Sequence, residues 1–158
     1  MLRRIIALVL VGTLVVSGVA IAQARTKHSL TGTVKLAAIS VSGSLPMLNV
    51  TAAGTLNAKP GGRGAIVGRG RYTGSPAPNV YTFAGTFTAF QAHGSITGTL
   101  KGKATLQAST NAWVIEGTVT VSRGTERYQG ATGRVRFSGG AADPTSVATL
   151  RLRGTLTY

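Results

Sequence analysis

Cysteine is absent, so neither a disulfide framework nor acylation of a lipoprotein cysteine is available, and the fold must be held by its core alone. Acids are nearly absent too: Glu116, Glu126 and Asp143 stand against 17 lysines and arginines, for a formal net charge of +14. No carboxylate sits at ligand spacing beside His28 or His93, and no histidine has the partners that an activated nucleophile needs. Paired acid and base groups are missing as well. Aromatic residues make up 6% of the chain, which is thin for the two girdles of a membrane barrel. Past the first two dozen residues no apolar spacing sustains a helical period. Fold, compartment and surface are therefore the legible properties, and no cofactor or metal is expected.

What is present begins with an export signal. Leu2-Arg3-Arg4 supply positive charge, Ile5 to Ala22 is almost wholly apolar, and Ala22-Gln23-Ala24 is a small-x-small cleavage site. The expectation is a signal peptide over residues 1–24 and one domain over 25–158, secreted or held at the cell envelope. An uncleaved anchor is the alternative, because the apolar run approaches the length that spans a bilayer. Without Arg3 and Arg4 the mature chain keeps 15 basic residues against three acids, a net charge of +12. So basic an exported domain is drawn to anionic envelope polymers, lipid head groups or nucleic acid.

Turn-rich clusters divide the mature chain at regular intervals: Ser42 to Pro46, Lys59 to Gly64, Gly74 to Asn79, His93-Gly94, Ser109 to Asn111, Arg123 to Gly130, and Gly139 to Pro144. Eight candidate strands lie between them, and most alternate apolar and polar residues. In the eighth, Leu150, Leu152, Gly154, Leu156 and Tyr158 oppose Thr149, Arg151, Arg153, Thr155 and Thr157. One face is apolar and the other wet, as in an antiparallel sheet over a single core. Two segments break the parity. Ile39 and Val41 oppose Leu30 to Leu36, and Phe90 opposes Phe83 and Phe87, so β-bulges are expected near Ala37-Ala38 and near Ala89.

Seven glycines take the apolar side of these alternations: Gly32, Gly54, Gly68, Gly85, Gly98, Gly117 and Gly154. A glycine held to one parity leaves one sheet face without a side chain, which suits a sheet coiled tightly enough to close. The expected architecture is all-β, an eight-stranded antiparallel up-and-down β-barrel with Trp113, Phe83, Phe87 and Tyr72 filling its interior. An open sandwich is the runner-up and needs fewer inward glycines.

Gly124-Thr125-Glu126-Arg127-Tyr128-Gln129-Gly130-Ala131-Thr132-Gly133 resembles a turn of the allene oxide cyclase and dirigent-like barrels. The shared pattern is Gly-Thr-x-basic-aromatic-x-Gly-Ala-x-Gly. What the resemblance implies is an eight-stranded antiparallel barrel, often assembled into homo-oligomers. The plant members' catalytic or substrate-steering side chains are not placed on this sequence by the likeness, so no activity is carried over from it.

The strongest surface signal is a set of basic pairs at i, i+2 on the wet parity: Arg69 and Arg71, Lys101 and Lys103, Arg134 and Arg136, Arg151 and Arg153. Pairing of the seventh and eighth strands would set four of these arginines side by side, and closure would bring Lys35 alongside. Like charges across strands repel by some tenths of a kcal/mol, roughly, and an anionic ligand would relieve them. A solubilising exterior that blocks edge pairing accounts for the same residues. Sequence-specific nucleic-acid reading is not expected, since the basic residues have no aromatic platform among them and no helix is available for a groove. The expected role is a non-catalytic binding or structural barrel whose cationic exterior acts at the cell envelope. Two alternatives remain: an allene oxide cyclase-like isomerase or cyclase that confines an apolar small molecule, and a small outer-membrane barrel with the apolar parity toward lipid.

Overall fold

The computed structural model describes residues 25–142 and 146–158; the expected signal peptide, residues 1–24, and Asp143 lie outside the described residues. Eight strands follow one another: β1 (Lys27–Ser44), β2 (Met47–Lys59), β3 (Gly62–Ala77), β4 (Val80–Gln91), β5 (Gly94–Gln107), β6 (Ala112–Gly124), β7 (Thr132–Ala141) and β8 (Ala148–Thr157). Each pairs antiparallel with its neighbours in sequence, and β1 pairs with β8, which closes an up-and-down barrel. A helical turn, Glu126–Tyr128, interrupts the connection from β6 to β7.

The alternation in sequence sets the facing. Leu30, Val34, Leu56, Phe87, Ile96, Val121, Val135, Phe137, Leu150 and Leu156 are buried in one cluster, all on the apolar parity of their strands. The lysines and arginines of the opposite parity are exposed. Following directly paired residues once around the barrel from Asn49 of β2 leads back to β2 at Lys59, a stagger of ten residues. With eight strands such a stagger tilts them by roughly 40° from the barrel axis, so the sheet must coil sharply.

Inward glycines make that coiling possible. A Cβ on Gly54 would meet the Lys35 carbonyl oxygen, on Gly85 that of Arg69, on Gly98 that of Thr120, and on Gly154 that of Arg134. Gly117 faces Gly102 across β5 and β6, and the rings of Phe83 and Phe137 lie over this pair, 6.2 Å apart between centroids. The rings cover backbone that would otherwise border a void. Gly68 differs from the rest of the seven, because its nearest neighbour would be the Thr86 carbonyl oxygen at 3.8 Å.

One end of the barrel is closed by the connection from β6 to β7. Tyr128 and Ala131 are buried there, with Tyr158 edge-on to Tyr128 at 5.0 Å and stacked on His28 at 4.5 Å. Thr125 anchors the connection, accepting from the Ser95 backbone N–H at its Oγ1 (3.0 Å) and donating its own N–H to the Ser95 carbonyl (2.9 Å). The His93-Gly94 turn joins in, its His93 carbonyl accepting from the Arg127 N–H at 3.2 Å. Glu126 pays for this geometry with φ of 52°, a left-handed conformation usually left to glycine or asparagine.

One expected bulge is present and one is not. The register of β1 on β2 shifts between Ala38 and Ser40, which returns Val41 to the face of its partner Val50. No shift occurs near Ala89. β4 runs straight, Ala89 is buried opposite Ile96, and Phe90 lies half exposed on the outer face between Ala65 and Ser95. The narrow closed end already holds Ile96 and Tyr128, and only a small side chain fits beside them. Shifts between Thr97 and Gly98 and after Tyr72 carry no parity signal in the sequence.

The glycine geometry yields a paired test. Gly117→Val would drive its side chain against the Lys101 carbonyl and the Phe137 ring, and a loss of about 2 kcal/mol or more in denaturant unfolding is expected. Gly68→Ala should instead raise stability by about 0.5 kcal/mol, since the space is free and the unfolded chain loses entropy.

Candidate polyanion-binding face

The outer surface is built from the polar parity, and its register decides which cations meet. A single row of directly paired residues runs Arg71, Ala84, Lys101, Thr118, Arg136, Arg153, Thr31, Lys59, crossing from β3 through β8 and β1 to β2. Arg136 lies opposite Arg153. Arg134 and Arg151 occupy the same face two residues away along their strands, paired with Thr155 and Ser138. Lys35 of β1 is opposite Thr149 of β8, two residues from Arg151. Five of the nine expected cations therefore share one patch over β7, β8 and β1, and Lys101 approaches it across Thr118.

The remaining three stand apart. Arg69 and Arg71 are on β3, separated from β5 by Thr86 and Ala84 of β4. Lys103 is taken up locally: its Nζ is 2.9 Å from Glu116 Oε1, directly across the strand pair, with both side chains about half exposed. A solvated pair of this kind contributes roughly 0–1 kcal/mol to stability. Its larger consequence is to remove Lys103 from the positive surface.

Lys59 was not among the residues singled out in the sequence, where it opens a turn cluster. Closure of the barrel places it across Thr31 from Arg153. A shallow groove of about 670 Å³ lies between them, lined on its polar side by Ser29, Thr31, Thr33, Asn57, Lys59, Arg151 and Arg153. Hydroxyl and amide groups on the floor, with cations along both walls, can donate hydrogen bonds to successive anionic groups of a linear polymer. Among the described residues no carboxylate lines this groove.

The interior offers a contrasting chemistry. Ring contacts run without a break from Phe137 to Phe83 (6.2 Å), Tyr72 (5.6 Å), Tyr81 (6.4 Å) and Trp113 (5.7 Å). Burial raises the phenol of Tyr72 above its ordinary pKa, and burial followed by the neighbouring Tyr158 does the same for Tyr128. The Trp113 indole N–H and the Tyr158 hydroxyl are buried without a hydrogen-bond partner. Among the described residues no three histidine, aspartate or glutamate side chains gather into a metal-binding group. No protein-family model and no curated protein matches this sequence.

The Lys103 contact gives a charge test that leaves the core alone. Glu116→Gln should change unfolding free energy by less than about 0.5 kcal/mol while releasing Lys103. On a polyphosphate or heparin column the variant should then elute at higher salt than the parent.

Proposed function

We propose that this chain is an exported, non-catalytic β-barrel that binds anionic polymers at the cell envelope through the face formed by β7, β8, β1 and β2. The observation that carries the proposal is the register that sets Arg136 against Arg153 and brings Arg134, Arg151, Lys35 and Lys59 around them. These cations repel one another, and among the described residues no acid separates them on the paired positions of this face. An anionic chain laid along the groove would replace that repulsion with charge-assisted hydrogen bonds. Binding of this kind reads charge density rather than sequence and weakens steeply with salt.

Export is supported by the signal-like residues 1–24, and a water-bathed barrel by the inward facing of Val135 and Leu150 beside outward arginines. The likeness of residues 124–133 to the allene oxide cyclase and dirigent-like turn supports placing the chain with those barrels. A non-catalytic role is supported by the aromatic column inside, which occupies the space that confinement of a small molecule would need.

The test compares two variants of equal net charge. Replacing Arg134, Arg136, Arg151 and Arg153 by Gln should lower the salt needed for elution from polyphosphate further than replacing Arg25, Arg63, Arg123 and Arg127 around the closed end. Equal elution of the two would show that only total charge matters and would overturn the assignment of this face.

A further inference from the structure

The two ends of the barrel differ in charge. The closed end carries Lys59, Arg63, His93, Arg123, Glu126 and Arg127 in or beside its turns. At the other end the turns after β1, β3 and β5 contain no ionisable side chain, the connection after β7 includes Asp143, and between Lys35 and Lys59 no residue carries a charge. That uncharged segment is the hairpin of β1 and β2, and its upper part projects past the barrel. β8 pairs with β1 only as far as Leu36, so from Ala38 to Ser44 the described pairing of β1 is with β2 alone.

The projecting hairpin carries exposed apolar side chains, Leu45 and Met47 at its turn and Val41 and Ile39 farther down β1. Ile39 is 64% exposed, Val41 56%, Met47 52% and Leu45 39%. These are four of the seven large apolar side chains most open to water among the described residues, gathered on one hairpin. Directly below, on the outer face, a groove of about 400 Å³ is lined by Ser40, Ser42, Asn49, Thr51, Arg69, Arg71 and Thr86. Arg71 Nη2 approaches Met47 Sδ at 4.0 Å, so a guanidinium sits against the base of the apolar tip.

An apolar projection with cations beneath it matches the layering of an anionic bilayer, in which a phosphate plane lies above an acyl interior. The absence of charge on the tip lets it leave water without burying an ion. A protein surface would satisfy the apolar tip equally well, but it would not require two guanidinium groups at the depth of the head groups. We propose that the β1–β2 hairpin is a membrane-docking tip: Leu45 and Met47 enter the boundary of an anionic bilayer, and the groove of Arg69 and Arg71 takes a lipid phosphodiester. The proposal rests on reading the protein as a binder of anionic surfaces and names one of them.

The chain from Arg25 onward closes its barrel on its own residues and is the protein to test. Because it lacks cysteine, Met47→Cys can carry a single polarity-sensitive fluorophore. On vesicles of equal parts phosphatidylglycerol and phosphatidylcholine the label should brighten and shift to the blue, with no change on phosphatidylcholine alone. Leu45→Ser with Met47→Ser should weaken vesicle binding about tenfold even near 0.5 M salt, where charge is screened within a few ångströms. Arg69→Gln with Arg71→Gln should weaken it chiefly at low salt. A label that stays in water while the protein sediments with anionic vesicles overturns the proposal. So does a tip variant that dissociates a dimer and leaves vesicle binding unchanged, which would assign the tip to self-association. Retention on polyphosphate without vesicle binding defeats the membrane tip alone and leaves the polymer-binding face intact. Tip insertion combined with equal elution of the two arginine variants defeats only the polymer-binding face.

Discussion

The carbonyl oxygen of Lys101 occupies the place where a β-carbon on Gly117 would be, and the same holds for the carbonyls of Lys35, Arg69, Thr120 and Arg134 at Gly54, Gly85, Gly98 and Gly154. This close approach of backbone to backbone is the constraint on which the remaining structure depends. A ten-residue stagger over eight strands needs a sheet coiled more tightly than side chains on every inner position allow. Removing the β-carbon where strands bend inward satisfies the geometry. The space is returned to Phe83, Phe87 and Phe137, whose rings lie against Gly102, Gly98 and Gly117.

The same alternation that puts glycine inside puts its following threonine outside. Thr31, Thr118 and Thr155 separate the arginines and lysines on the outer rows, and Thr31 and Thr33 line the β8–β1–β2 groove with hydroxyls. Fold and surface are thus two readings of one repeat. The closed end, with Tyr158 stacked on His28 and edge-on to Tyr128, fixes the barrel, while at the other end the described pairing of β1 beyond Leu36 is with β2 alone.

Strand number, order and facing were legible because alternation and turn clusters repeat eight times with few exceptions. Where the exceptions fell, parity alone was an incomplete guide. At Ile39 it marked a real bulge, displaced by about one residue from the expected place. At Phe90 the same signal came from a large ring left outside a lumen too narrow to admit it, and the backbone is regular. The extra residue at Ser122, where Thr97 pairs with Arg123 and Gly98 with Val121, is silent in the pattern because it lies beside a turn. For the cationic face, the grouping of Arg134, Arg136, Arg151, Arg153 and Lys35 followed from closure. Lys59 could have been found only by carrying the register all the way around the barrel, and the loss of Lys103 to Glu116 only by aligning β5 with β6.

The central claim is that the glycine-bearing parity faces the interior and the arginine parity faces water. The cysteine-free chain allows a direct check with Val135→Cys and Arg136→Cys, adjacent residues that are buried and exposed respectively. In buffer without detergent, a polar maleimide should modify the residue at 136 within the time of mixing and leave that at 135 protected until the protein is unfolded. Equal modification of both in the folded protein, or protection of 136 and reaction at 135, would contradict the account.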